Sequence, residues 1–143
     1  MKLHIVTVGE PKLPYAKNGW QEYWKRLARY HQVRATHIVD KKAYNTAHIL
    51  QTTANAYTIA LVIAAEQLSS LELATFLEKR ALEGRELCFI VGGPEGLPQE
   101  VIERCDLNWS LSKLTLPHDL AMVVLLEALY RASTIAAGQP YHK

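Results

Sequence analysis

The sequence predicts an α/β fold in which helices wrap a parallel sheet, on three observations. Short apolar or alternating runs and longer stretches with three-and-four spacing succeed one another as βαβαβαβαβα, and that alternation builds parallel sheets with helical crossovers. The run Tyr57 to Ala65 is apolar without interruption, as in a strand covered on both faces. Another run, Phe89-Ile90-Val91, stops in Gly92-Gly93-Pro94-Glu95-Gly96-Leu97-Pro98, so a buried strand empties into a glycine loop. With 143 residues, 49% of them hydrophobic, the expectation is one domain, residues 1–143, with a full core.

The first strand is Lys2 to Val8, ended by Gly9. Pro11 and Pro14 in the next segment argue against an immediate helix. From Asn18 onward Trp20, Tyr23, Trp24, Leu27 and Tyr30 recur at helical spacing, with Lys25, Arg26 and Arg29 between them. This helix reads as an aromatic core stripe beside a solvated face, with contact to RNA phosphates as the other reading. Val33 to Val39 alternates as a second strand and runs into Asp40-Lys41-Lys42, two lysines suited to phosphate. A weak helix spans Ala47 to Ala56, and the apolar run from Tyr57 is the third strand. Ser69 and Glu72 form a capping box that opens a helix to Leu82, terminated by Gly84. Arg85 to Val91 is the fourth strand, and Pro98 to Arg104 a short helix with proline in its first turn. Asn108 to His118 alternates as a last strand running into a loop, and Asp119 to Ala137 is a helix too apolar to be exposed, ended by Gly138.

Composition narrows the chemistry. The N-terminal apolar run is too short for a signal peptide and no stretch approaches a membrane span, so a cytoplasmic protein without a membrane partner is expected. Cys88 and Cys105 form neither a disulfide framework nor a CxxC pair. The six histidines lack metal-ligand spacing, and no metal is expected. A net charge of +2 permits a nucleic-acid partner without arguing for one. There is no Walker sequence, no G-x-G-x-x-G after the first strand and no hydrolase elbow. Three apolar runs do stop at small or polar residues, near Leu61, at Gly92 to Gly96 and at Ser112 to Pro117. In a parallel sheet such ends share the edge where ligands bind, so a cofactor held mostly by main-chain groups is expected. Taken alone, the glycine loop reads equally as a structural turn.

Gly92-Gly93-Pro94-Glu95-Gly96, Ser110-Leu111-Ser112, Leu114-Thr115-Leu116-Pro117-His118, Glu127, Leu129-Tyr130-Arg131-Ala132 and Pro140-Tyr141-His142 together resemble the ribosomal large-subunit pseudouridine N3-methyltransferases of the SPOUT class, over essentially the whole chain. That resemblance implies an S-adenosyl-L-methionine-dependent enzyme, a homodimer with a C-terminal trefoil knot, acting on ribosomal RNA in the large subunit or assembled ribosome. Carried over by position, it puts cofactor binding on Leu61, Gly93, Ser112, Lys113, Leu114, Thr115, Leu116 and Pro117. The acceptor N3 must lose a proton, so a base is expected, with His142 first and His118 second. Tyr141 would orient the target base, and Arg131 and Lys143 would meet RNA, although Arg131 also suits a helix pair with Glu127. Three positions depart from the family pattern: Val62 replaces an Asp, Ala65 a Gly and Met122 an Arg. They keep open a knotted dimer that binds RNA or ribosomes without catalysis, and beyond it a nucleotide-binding regulator.

Overall fold

A computed structural model describes residues 1–143. Its sheet has five strands, β1 (Lys2–Val8), β2 (Gln32–Ile38), β3 (Tyr57–Gln67), β4 (Leu87–Val91) and β5 (Leu107–Ser110), in the order β2-β1-β4-β3-β5. Every neighbouring pair is parallel. Because side chains alternate across a strand, Leu3, Ile5, Leu87 and Phe89 enter one core while Val6, Val8, Cys88 and Ile90 enter another. The first core lies under α1 (Pro14–Leu27), α3 (Ser70–Ala81) and α5 (His118–Ala136), and the second under α2 (Thr46–Thr52) and α4 (Gln99–Arg104). Helices therefore cover both faces, as the parallel sheet requires. Helix α5 drives the larger core: Met122, Leu125, Leu126 and Leu129 are wholly buried along one stripe, each contributing about 1.5–3 kcal/mol relative to exposure.

Local signals explain most element ends. Both capping-box bonds of α3 are present, Glu72 N–H to Ser69 Oγ at 3.0 Å and Ser69 N–H to Glu72 Oε1 at 2.8 Å. Beyond α3, Gly84 takes φ +73°, a left-handed stop open to glycine. In α1 the aromatic stripe is core, with Trp20, Tyr23 and Trp24 packed against the larger cluster. Arg26 on its flank pairs with Glu22 at 2.7 Å and lies over the rings of Tyr23 and Tyr130. The helix begins at Pro14, four residues before the expected Asn18, because proline at the first helical position loses no hydrogen bond and has a suitable φ.

Two strands differ from expectation, and both differences shape the site. Ile59 and Ala60 are buried, but farther along β3 Ile63 is 59% exposed. The ladder to β5 also breaks: Leu61 and Glu66 both face Trp109, so Val62 to Ala65 arches out between them. The run is strand, as its hydrophobicity predicts, but it is not covered throughout: β5 pairs over only Leu107–Ser110 and leaves the arch no neighbour on that side. The alternating residues after Ser110 are correspondingly loop, up to the start of α5 at His118.

One buried polar pair makes stability depend on pH. Ser133 Oγ donates to Leu129 C=O at 2.7 Å, so His31 donates to Ser133 through Nε2 at 2.8 Å and leaves Nδ1 buried without a partner. Burial, aided by the amino terminus, lowers the His31 pKa to about 4 from 6.5. Between those values the unfolded chain binds the proton and the native chain does not, so stability present above 6.5 is lost as pH falls towards 4. Allowing for partial exposure, the loss is about 1–2 kcal/mol. Urea midpoints at about pH 7 and about pH 4 are expected to fall less for His31→Gln than for the native chain; equal falls would exclude His31 as the cause.

Candidate functional site

Parallel strands put all their C-terminal ends on one edge, and there the ends of β3, β4 and β5 enclose a cavity of about 360 Å³. Its walls are Leu61 with Val62 and Ile63 of the arch, the Gly92–Leu97 loop, and Ser110 to Leu116 without Lys113. Of the positions predicted to bind a cofactor, Leu61, Gly93, Ser112, Leu114, Thr115 and Leu116 come together here. Lys113 and Pro117 do not: both are exposed and outside the lining, and Pro117 caps α5. The cavity falls within the range of small-molecule sites. Ile63 and Leu114, exposed at 59% and 75%, leave apolar surface on its rim.

The glycine loop owes its shape to a residue that sequence reasoning did not single out. A Cβ on Gly92 would lie 2.6 Å from Gly96 C and 2.9 Å from both Gly96 O and Leu97 N. All three are main-chain atoms that no rotamer change can move. On Gly93 the contact is 3.2 Å to Val8 Cγ1, a side chain. The loop closes through Gly96 N–H to Gly93 C=O at 2.9 Å, with Gly96 at φ +86°. The doublet Gly92-Gly93 signalled close approach, but which glycine is needed depends on a fold-back that spacing does not reveal. The opposite wall is held by hydroxyls: Ser110 Oγ donates to Ser112 C=O and Leu114 N–H donates to Ser112 Oγ, each at 2.9 Å. Such side-chain turns fix loop backbone without a helix or ladder.

His118, the second candidate base, lines the cavity, but its Nε2 donates to Val8 C=O at 2.7 Å. That bond ties the start of α5 to the end of β1. Buried Asp119 reinforces it, accepting from Lys12 N–H at 2.9 Å and Leu13 N–H at 2.7 Å.

Tyr141 and His142 lie elsewhere in this chain, packed on the C-terminal half of α5. Tyr141 OH donates to Glu127 at 3.3 Å, its ring meets Tyr130 edge-on at 4.7 Å, and the Arg131 guanidinium lies 4.7 Å from its centroid. Burial, with help from Tyr23 and Glu127, raises the Tyr141 pKa and keeps it a phenol donor. Arg131 pairs with Glu127 at 2.8 Å and donates to His142 Nδ1 at 3.1 Å, which puts the His142 proton on Nε2. The RNA-contact candidate Arg131 is thus engaged in holding the tail, while Lys143 is exposed. At 1.5 Å per helical residue, Glu127 and Arg131 stand about 14 and about 20 Å along α5 from His118. A single chain therefore carries this cavity without His142 and Tyr141 in its lining. No cluster of three His, Cys, Asp or Glu side chains is placed to hold a metal.

Comparison with known proteins gives this geometry a context. Residues 1–142 match the family model described as "Predicted SPOUT methyltransferase". A protein of Deinococcus radiodurans named "Ribosomal RNA large subunit methyltransferase H" is 49% identical over 145 residues, covering 100% of this chain and 99% of its own length. Its namesake in Deinococcus deserti is 48% identical with full coverage of both, and that of Legionella pneumophila 41% identical over 155 residues. Among solved structures, a probable methyltransferase from Bordetella pertussis superposes with a TM-score of 0.59 at 16% identity, over 92% of this chain and 93% of that one. A tRNA (m1G37) methyltransferase from Aquifex aeolicus gives 0.58 at 14%, over 99% and 71%. Those two structures share the fold.

Proposed function

The chain belongs to the SPOUT methyltransferase family, and from that premise we propose that it methylates ribosomal RNA of the large subunit, using S-adenosyl-L-methionine as donor and N3 of a pseudouridine as acceptor. The observation that carries this reading is the convergence of three strand-end loops on one cavity, in a chain whose full-length relatives are named as large-subunit ribosomal RNA methyltransferases. S-adenosyl-L-methionine supplies a methyl already activated on a sulfonium, so the protein's task is alignment and removal of one proton.

The residues present suit such a donor. Leu61, Leu116 and Ile102 give apolar walls for a flat purine, and Gly92, Gly93 and Gly96, which have only main chain to offer, line the same space opposite Ser112, Leu114 and Thr115. The base on this reading is His142, with Tyr141 orienting the target uracil ring, and both must come from a second copy of the chain. In the position described above, Arg131 occupies the Nδ1 lone pair of His142. Delivery to a partner's cavity frees that lone pair to accept the N3 proton. The proposal therefore includes a homodimer, with the trefoil knot of its class in the C-terminal part, working in the cytoplasm on ribosomal substrate.

Nucleoside mass spectrometry of large-subunit RNA from cells with and without the gene tests the reading. The expected difference is a single N3-methylpseudouridine, present only with the gene. Identical nucleoside profiles would refute it.

A further inference from the structure

Beside the methyl-donor cavity, on the same edge of the sheet, lies a second cleft that the reaction leaves unused. It has a volume of about 630 Å³, is lined by residues from the β1–α1 loop and the end of β2, and includes Lys12 and Lys17. The chain then turns through a short 3₁₀ segment, Asp40–Lys42, in which Asp40 lines the cleft and Lys41 and Lys42 follow it outside the lining. Residues 9–17 and 37–42 hold four lysines against Glu10 and Asp40, a net charge of +2, equal to that of all 143 residues. The one ion pair there, Lys12 Nζ to Asp40 Oδ2, is 3.5 Å long with both side chains about two-thirds exposed. A pair so solvated holds its partners weakly, and a phosphate can replace the carboxylate.

Val8 connects the two clefts: it precedes Gly9, which lines the second, and touches residues that line the first. Val8 reaches towards Gly93 on one side, where a Cβ would meet its Cγ1 at 3.2 Å, and its carbonyl takes the His118 bond at 2.7 Å. Half-exposed Tyr44 follows the 3₁₀ turn, its OH donating at 3.0 Å to Glu95 of the glycine loop, which lines the first cavity. A lysine-rich groove with an exposed aromatic face beside it is the surface that tracks a single-stranded phosphate backbone and stacks a base. A nucleotide presented to the cavity has its flanking phosphates next door, since a strand places successive charges only a few ångströms apart.

We propose that this cleft, with Lys12, Lys17, Lys41 and Lys42 as cations and Tyr44 as stacking platform, binds the phosphates of the single-stranded RNA flanking the methylated nucleotide. This rests on the ribosomal RNA reading above and adds where the substrate strand runs. Lysines are point charges that hold backbone without reading sequence, so the cleft sets affinity and direction while the cavity selects the base.

The test is steady-state methylation of large subunits lacking the modification by full-length K41E/K42E, with K17E as a second variant and K79E, on exposed α3 surface, as the charge control. For the first two, KM for the subunit is expected to rise at least about tenfold with kcat within about twofold, and the dependence of log affinity on log salt to lose about one unit. S-adenosyl-L-methionine affinity by calorimetry is expected to stay unchanged, which also certifies folding. K79E is expected to leave KM in place. KM within twofold of the native value for both cleft variants, or an equal rise for K79E, would overturn the cleft alone. A native protein that transfers no methyl to ribosomal RNA would remove the underlying reading and the cleft with it.

Discussion

Deletion of Tyr141–Lys143 is expected to abolish methyl transfer, by about 10²- to 10⁴-fold in kcat, while leaving the fold and S-adenosyl-L-methionine affinity within about twofold of native. The fold is spared because the tail contributes no residue to either hydrophobic core. Its contacts are to Glu127, Tyr130 and Arg131 on α5, with Tyr23 of α1 beside Tyr141. The cavity is spared because neither Tyr141 nor His142 lines it. What disappears is the proposed base and the ring that orients the acceptor. Circular dichroism, calorimetry and single-turnover methylation separate the three consequences, and unchanged turnover would refute the role of the tail. Mixing tests the route of delivery. Tail-deleted chains paired with cavity-blocked chains form one complete site per mixed dimer, so an equal random mixture should recover about a quarter of native activity. No recovery would mean that the tail serves its own chain.

Gly92→Ala is the corresponding change for the cavity. The added methyl meets main-chain atoms at 2.6 and 2.9 Å, so the Gly92–Leu97 segment must open to admit it. Overpacking of this kind costs about 1–3 kcal/mol. Relieved by opening the wall, it appears as roughly 10- to 100-fold weaker S-adenosyl-L-methionine binding. Gly93→Ala meets only Val8 Cγ1 at 3.2 Å, which a small rotation relieves, so its loss should stay below about tenfold. Calorimetry ranks the two. Equal affinity of Gly92→Ala and native protein would mean that the ligand does not use this wall.

Local chemistry made much of the fold legible. The capping box at Ser69 and Glu72 and the apolar run of β1 fixed those elements from a few neighbouring residues. The leucines and valines all round α5 did the same over five turns. What escaped depends on partners distant in sequence. Pro14 reads as a breaker until its place at the first helical position is known. Val62 to Ala65 belong to β3 as the apolar run predicts, but apolar residues do not reveal that β5 is too short to pair with them, so the two-sided cover expected of the run is missing there. The same arch bears on two departures from the family pattern, Val62 and Ala65: the first lies on the cavity wall and the second is outside the lining. The third, Met122, is wholly buried in the larger core, where a leucine-rich helix face needs an apolar side chain rather than a cation. At the site, the three strand ends were visible as apolar runs stopping in small residues. No triad, metal set or phosphate loop named the chemistry, which became legible only through the whole-chain resemblance. The tail could not be placed from sequence, since Arg131 spaced four residues from Glu127 predicts the helix pair but not that Tyr141 and His142 fold back upon it.

Transfer of a labelled methyl group tests the proposed activity most directly. Purified chain, S-adenosyl-L-methionine labelled in its methyl, and large ribosomal subunits from cells lacking the gene are incubated, and the RNA is digested to nucleosides. The expected result is label on N3 of one pseudouridine, at close to one methyl per subunit. RNA without label, from folded protein, would contradict it and favour the other reading, an RNA-binding protein without catalysis.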